Sequence, residues 1–430
     1  MRDLEIRPRS LFAGLRAGKS CFWLLFAVTV CAAGSAEARV LTGIDVLEAE
    51  GFSRLQGLRV GLITNHTGLN QSGRSTVELL RTAPNLSLRK LFSPEHGLFG
   101  NVDRKVVSLV DDRTGLMVHS LYGETRRPSP EMLADLDILV FDIQDIGARF
   151  YTYISTMGYA MEEAAKAGIR FMVLDRPNPV NGVQVEGPIL DSHRLSFTGY
   201  FPLPVRHGMT IGELAQLFNG QNQLRANLEV VKIEGWHRRM WMDETGLAWV
   251  NPSPNIRSLP QATLYTAVGL LESANLSVGR GTEAPFEWLG APWINASQLA
   301  RAFNRRRLPG IRAAPAHFTP ASDRYERKRC HGIRLTVTDR NRFNSVACGL
   351  EIASILCRLY PRQFQSQKLV DMIGSEAAVR GLQRGASSAQ ILAGDAEKLT
   401  EFLKVREQYL LYHERGPSKL KLTQARSWPS

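Results

Sequence analysis

The fold class follows from one stretch, Leu91-Phe92-Ser93-Pro94-Glu95-His96-Gly97-Leu98-Phe99-Gly100. Its first residues continue an apolar run from Leu86, which predicts a buried strand. Pro94 ends that strand, because proline has no N–H to donate to a ladder. Glu95 and His96 follow, and the next glycines allow a sharp turn. Since ligands bind at the carboxyl ends of parallel strands, this loop predicts a catalytic acid at Glu95, with a solvated turn as the alternative.

The same order, a buried strand followed by a polar loop, recurs three times. Strands predicted at 58–65, 136–142 and 169–174 alternate with helices, which indicates a parallel, doubly wound α/β sheet. The polar and aromatic residues at these strand ends are Asn65, His66, Asp142, Asp145, Arg149, Tyr151, Arg176 and Asn178. Together with the Glu95 loop, these endings predict one shared crevice along one edge of the sheet.

Five further candidates lie in later loops. Glu186 is an acid among turn residues, and His207 precedes a glycine, although a histidine there is more often structural. Asn255 closes a rigid, aromatic and polar segment of the kind that often binds sugars. Arg280 and Glu283 lie in a loop rich in glycine and charge.

The first 38 residues predict a signal peptide. A basic start precedes an apolar stretch at 21–33, and small residues at 36–38 have the spacing of a cleavage site. The mature chain is therefore expected to begin near Arg39 and to be exported, to the periplasm or the medium. No later segment is apolar and long enough to span a bilayer, so no integral membrane segment is expected after cleavage.

The formal net charge of +12 suggests acidic partners such as cell-wall polymers or anionic lipid, although a generally basic surface explains it equally well. Nucleic acid is not expected as a partner, because no basic-aromatic motif occurs. No Gly-x-Gly-x-x-Gly turn or phosphate loop is present, which disfavours a nucleotide enzyme. We expect no cofactor. Cys330, Cys348 and Cys357 match no zinc pattern, and their disulfide pairing stays open.

The domain organisation follows from a change in character near residue 292, after which acid-rich loops become scarce. We predict a signal peptide at 1–38, a catalytic domain at 39–290 and a smaller α/β domain at 291–414. Residues 415–430 are expected to form a basic tail.

Three kinds of chemistry suit this set of side chains. Glycoside hydrolysis needs an acid, for which Glu95 is the candidate, and a second group, for which Glu186, Glu283 and Asp142 are candidates. Metal-assisted hydrolysis is the second kind, with His66, His96, Asp142 and Asp145 as candidate ligands, although no compact ligand pair occurs. The third is binding of a glycan without turnover. A serine nucleophile finds no support, because no Gly-x-Ser-x-Gly elbow is present.

Taken together, several long motifs resemble the exo-β-N-acetylmuramidase family, long known as a domain of unknown function. The matching segments are 93–97, 141–153, 174–179, 252–255 and 278–287, within a resemblance that runs from Gly43 to about Tyr360. The resemblance implies a Rossmann-like domain with a smaller C-terminal domain and the site in the cleft between them. It also implies release of terminal N-acetylmuramic acid from the non-reducing end of peptidoglycan fragments, with Glu95 as the acid.

The resemblance makes peptidoglycan-derived muramyl saccharides the expected partners. Arg149, Arg176 and Arg280 are then candidate clamps for the lactyl carboxylate of the sugar, because arginine grips a carboxylate with two parallel hydrogen bonds. The 2-acetamido group itself is a possible nucleophile, which Asp142 or Asp145 would orient. Glu283 stands where the family pattern has threonine, so it is a weaker candidate than Glu95 or Glu186.

Overall fold

The computed structural model describes residues 39–102 and 105–413, which contain a seven-stranded, a three-stranded and a two-stranded sheet. The strands in those residues are β1 (Arg59–Thr64), β2 (Ser87–Ser93), β3 (Leu109–Val110), β4 (Met117–Ser120), β5 (Ile138–Asp142), β6 (Arg170–Leu174), β7 (Glu186–Ile189), β8 (Pro204–Arg206), β9 (Leu228–Val231), β10 (Trp288–Ala291), β11 (Ile311–Phe318) and β12 (Cys330–Val337). The α-helices are α1 (Gly43–Ala49), α2 (Thr76–Thr82), α3 (Pro130–Leu133), α4 (Tyr153–Ala167), α5 (Ile211–Gln221), α6 (Leu259–Val268), α7 (Ala296–Asn304), α8 (Ser345–Leu359), α9 (Val370–Ile373), α10 (Glu376–Gln383), α11 (Ser388–Gly394) and α12 (Ala396–Glu407).

The central sheet has seven strands in the order β3-β4-β2-β1-β5-β6-β9. β3 pairs antiparallel with β4, and the other neighbouring strands are parallel. Counted along the chain, the parallel strands stand in the Rossmann order 3-2-1-4-5-6, which reverses between β1 and β5. The predicted doubly wound, mostly parallel sheet is therefore confirmed, and the four strands that end in polar loops are neighbours within it.

Alternate residues of the central strands enter two separate hydrophobic cores. Val60 and Leu62 pack on one face of the sheet, and Ile63 packs on the other. Val140 and Phe141 divide in the same way. A strand that is buried on both faces reads as a continuous apolar run, which is the pattern that predicted these strands.

Local sequence signals fix several helix ends. Gly168 closes α4 in the left-handed conformation, with φ +68°. Thr210 and Glu213 form a capping box at the start of α5. Before Gly279, only an isolated bridge between Ser277 and Gly290 occurs.

A second, smaller sheet has the antiparallel order β10-β12-β11, with α7 and α8 packed nearby. This confirms a second, smaller α/β part after the central sheet. Sequence patterns missed β11, since Pro315 interrupts its run. The structure accommodates this proline because β11 is an edge strand.

Some predictions concern residues that the structure does not describe. The signal peptide at 1–38 lies outside the described residues, as does the basic tail at 415–430. Among the helices described, none combines the length and the apolar character needed to cross a bilayer. The three cysteines after the predicted signal have free thiols. The domain boundary at residue 290 stays a prediction.

Candidate active site

Glu95 lies in the crevice at the carboxyl end of β2. Its side chain is half-buried, and its Oε2 accepts a hydrogen bond of 2.5 Å from the Thr152 hydroxyl. Thr152 immediately precedes α4, so the loop after β5 and the loop after β2 meet at this carboxylate. The turn is tight, since Gly97 N donates to the Pro94 carbonyl. A carboxylate held in this way is placed to exchange a proton with a bound ligand.

Tyr153 and Tyr265 form an aromatic wall around Tyr151 near this acid. The ring centroid of Tyr151 lies 4.7 Å from that of Tyr153 and 5.8 Å from that of Tyr265. Burial raises the pKa of Tyr265 well above its usual value, and the charges of Glu272 and Glu95 add to the rise. Both carboxylates therefore lie within electrostatic range of this phenol, so Tyr265 and Glu272 belong to the same site.

His66 and His96 line the β1 side of the crevice. His66 Nε2 lies 2.6 Å from the Asn251 carbonyl oxygen, and His96 Nδ1 lies 2.9 Å from that of Val102. Burial lowers the pKa of His66. Gly100 packs against the His66 ring with φ +68°, and a Cβ there would stand 1.8 Å from His66 Cε1. Gly100, the last residue of the loop that carries Glu95, thus makes room for the His66 imidazole.

Two buried polar atoms in this region have no hydrogen-bond partner among the residues that the structure describes. They are His66 Nδ1 and Asp145 Oδ1. Buried polar groups are nearly always paired in folded proteins, so a group of unpaired ones is a sign of a ligand site. The charges that raise the pKa of Tyr151 include Asp145, after the larger effect of burial, which places these two groups near each other.

Asp145 is held so that one carboxylate oxygen stays available. Its Oδ2 accepts a 2.7 Å bond from Gly147 N and lies 3.5 Å from His207 Nε2. His207 is fully buried, and its Nδ1 accepts from Met209 N, so its proton is on Nε2 and faces Asp145. His207 therefore supports the site through Asp145.

Asp142 and Arg176 form a buried ion pair below the crevice. Arg176 Nε and Nη2 lie 2.5 and 2.9 Å from the two oxygens of Asp142, which also accepts from the Thr76 hydroxyl. Asp142 is fully buried and Arg176 is 6% exposed. Arg176 donates in addition to the Leu69 carbonyl. This geometry ties the loops together and gives neither side chain the position of a group that reacts with substrate.

Arg149 and Glu186 also have structural environments. The Arg149 guanidinium donates to four backbone carbonyls, those of Pro188, Leu203, Met372 and Ile373, and burial lowers its pKa to about 10. Glu186 accepts from Arg206, from the Ser345 hydroxyl and from Val346 N. Glu186 thus caps the first turn of α8, where its negative charge interacts favourably with the helix N-terminus.

The remaining candidates divide between the two kinds of environment. Asn178 donates to the Met209 carbonyl and accepts from Val180 N, which shapes its own loop. Asn255 is buried, and its backbone N–H donates to the Ser253 hydroxyl. Glu283 is exposed. Arg280 is 26% exposed and lies 2.6 Å from Glu272, so it alone of the three predicted clamp arginines is both partly accessible and coupled to the residues around Glu95.

A small cleft of about 80 Å³ lies beside this crevice, at the carboxyl ends of β1, β5 and β6. Gln144 and Arg176 line it, but both bond to groups of the protein itself. The unpaired polar atoms lie on the Glu95 side instead, which favours that side as the reacting centre. Within the described ranges, no group of three or more His, Cys, Asp or Glu side chains is arranged to hold a metal ion.

Sequence reasoning missed Thr152, Tyr265 and Glu272. Thr152 lies within the segment 141–153 that resembles the family, yet only its contact with Glu95 reveals its role. Tyr265 lies in a helix that is apolar on most sides and carries no signal of its own. Glu272 had one, because a lone carboxylate within the apolar stretch 269–276 is unusual.

These features, a Rossmann-like sheet with a half-buried acid and unpaired polar groups at its switch point, define an α/β enzyme that acts on a polar ligand. The family model described as "Exo-beta-N-acetylmuramidase NamZ, N-terminal" matches residues 60–260, and its C-terminal counterpart matches residues 263–412. The chain belongs to this exo-β-N-acetylmuramidase family.

Individual relatives agree with this assignment. The peptidoglycan β-N-acetylmuramidase NamZ of Bacillus subtilis is 46% identical over 379 residues, which cover 87% of this chain and 92% of that protein. Two crystal structures of DUF1343 family proteins from Bacteroides fragilis are also similar. Their identities are 38% and 30% and their TM-scores 0.81 and 0.71, each over 87% of this chain and 99% of the other.

Proposed function

We propose that this protein is an exo-acting β-N-acetylmuramidase that releases terminal N-acetylmuramic acid from the non-reducing end of peptidoglycan fragments. The 46% identity to a curated enzyme of that activity supports the reaction class. The observation that carries the assignment to a site is the half-buried Glu95, bonded to Thr152 beside unpaired polar groups. Export by the predicted signal peptide is part of the proposal, since it would bring the enzyme to wall fragments.

Glu95 acts as the general acid in this proposal. Its carboxyl proton passes to the glycosidic oxygen as the bond from that oxygen to C1 breaks. The carboxylate that remains keeps its bond from Thr152, which stabilises the charged form. In the second half of the reaction the same carboxylate accepts a proton from the attacking water.

Asp145 is the proposed partner, through the substrate's own 2-acetamido group. The carbonyl oxygen of that group attacks C1 as the leaving oxygen departs, and water then opens the resulting oxazoline and restores the acetamide. Asp145 Oδ1 is buried and unpaired, which suits it to accept the acetamide N–H and to balance the positive charge of the oxazoline. Asp142, the other predicted candidate, already has its oxygens bonded to Arg176 and Thr76.

Arg280 is the proposed clamp for the lactyl carboxylate. Gly279 and Gly281 flank it with φ +81° and +75°, and both pack so closely on backbone that a Cβ would clash. This loop therefore holds Arg280 in a fixed place. Glu272 pairs with Arg280 at 2.6 Å, and Asp323 lies 3.8 Å from Arg280 Nε, so carboxylates hold the partly exposed guanidinium before substrate arrives.

Arg280→Gln is expected to reduce kcat/KM for an aryl N-acetylmuraminide by about 10- to 100-fold, mainly through KM, because a charge-assisted contact is lost. The same glycoside with its lactyl group converted to the neutral amide should be cleaved equally by the two proteins. Arg280→Gln leaves the Glu272 carboxylate without its partner, which could impair folding. The double variant Arg280→Gln/Glu272→Gln removes that unpaired charge and guards against a folding defect. Arg334→Gln, at an exposed pair with Glu287, is the control. Equal losses on both glycosides would contradict the clamp.

The function itself is tested with the purified chain and the disaccharide of N-acetylmuramic acid and N-acetylglucosamine. We expect free N-acetylmuramic acid to appear at the same rate with and without a chelator. Tight binding with no product would indicate a muropeptide-binding protein. Activity that is lost on chelation and restored by a metal ion would indicate a metal-dependent hydrolase of wall or lipid esters.

A further inference from the structure

Two histidines of the second sheet face each other across neighbouring strands. His317 of β11 and His331 of β12 are direct partners in the antiparallel register. Their Nδ1 atoms are 2.7 Å apart, and their ring centroids are 4.9 Å apart at an angle of 77°. His317 is exposed and His331 is half-buried, so the pair is open to solvent.

The two Nδ1 atoms share a single hydrogen, so one of them directs its lone pair at the other ring. One Nδ1 must donate its hydrogen and the other must accept it. Two nitrogens bound to one Zn²⁺ at 2.0–2.1 Å stand about 2.9–3.4 Å apart. The two rings therefore need to separate by only a few tenths of an ångström, about 0.2–0.7 Å, to bind one ion.

We propose that His317 and His331 form a two-histidine site for a late first-row transition-metal ion, with water completing the coordination. On binding, the shared proton moves to Nε2 of its own ring, so that both Nδ1 lone pairs face the ion. No covalent bond breaks, and no electron is transferred. Opposed positions on an antiparallel ladder hold the two side chains 4.5–5.5 Å apart at Cβ, about the spacing that lets both rings reach one ion.

The surroundings of the pair predict which ions it selects. Cys330, which directly precedes His331, is buried on the opposite side of β12 beside Phe318, so it is not a third ligand. The exposed basic residues 327–329 precede the strand and offer no attraction to a cation. Affinity must then come from the imidazole nitrogens, which favour Cu²⁺, Ni²⁺ and Zn²⁺ over Mg²⁺ and Ca²⁺.

The test is calorimetric titration of the untagged chain with Ni²⁺ and with Zn²⁺. We expect one equivalent of either ion to bind, with Mg²⁺ and Ca²⁺ giving no heat. His317→Ala and His331→Ala should each weaken binding by at least about tenfold, since loss of a direct ligand costs no less than loss of its support. His193→Ala is the matched control, because His193 is also exposed but pairs with Glu376, and it should bind as the unchanged chain does.

A second measurement protects the test against variants that fold poorly. In the unchanged chain, substoichiometric Ni²⁺ should broaden the ring proton signals of two histidines, and these should be the signals that His317→Ala and His331→Ala remove. Uptake of no Ni²⁺ would overturn the site. Unchanged affinity in both variants, or broadening of other histidines only, would overturn it as well.

Discussion

Glu95→Gln is expected to lower kcat for muramyl disaccharide hydrolysis by about 10²- to 10⁴-fold, the usual contribution of a general acid. Glutamine has nearly the same shape, and its amide oxygen still accepts from Thr152, so the loop should keep its conformation. It has no proton to give to the departing oxygen. KM should change little, since the substituted group does not bind the sugar by charge.

A change of leaving group gives a sharper test of Glu95 as the general acid. A strongly acidic phenol is a leaving group that departs without protonation. Glu95→Gln should therefore slow the cleavage of an aryl glycoside of that phenol much less. The control is Glu186→Gln, the same substitution at the carboxylate that caps α8. We expect it to keep kcat while it reduces stability. Wild-type turnover by Glu95→Gln, or equal losses of kcat in the two variants, would refute the assignment of the acid.

Asp142→Ala is expected to lower the free energy of unfolding by about 3–5 kcal/mol, because it leaves the Arg176 guanidinium buried without its counter-ion. Both partners are nearly inaccessible to solvent, with side-chain exposures of 0% and 6%. The Thr76 hydroxyl loses its acceptor at the same time. Urea unfolding measures the change as a lower midpoint with an unchanged m-value.

Asp137→Ala is the matched control for this prediction. Asp137 stands at the opposite end of β5 and pairs with Arg59, but the two side chains are 33% and 43% exposed. Solvent screening makes such a pair weak, so its loss should shift the midpoint far less. Asp142→Ala combined with Arg176→Met should recover part of the lost stability, since no unpaired charge remains. An unchanged midpoint together with lost activity would instead point to a direct role of Asp142 in the reaction.

The amino-acid sequence determined the elements whose signals are local. Continuous apolar runs marked β1, β5 and β6, because strands buried on both faces need apolar side chains along most of their length. Gly168 marked a helix end, since the left-handed cap favours glycine. Glu95 stood out for the same kind of reason, as an acid placed directly after a strand that proline terminates. The convergence of these strand ends then followed from the rules of parallel sheets.

Only the tertiary structure decided the partner of each charged side chain. Asp142 and Asp145 are three residues apart and looked alike in the sequence, yet one is bound to Arg176 and the other keeps a free oxygen in the crevice. Tyr265 and Glu272 lie within electrostatic range of Glu95, although more than 150 residues separate them from it in the chain. A residue's type fixes which bonds it can form. Its role depends on which groups the fold brings within about 3–4 Å, where hydrogen bonds and ion pairs act, and that distance is set by the packing of the whole chain.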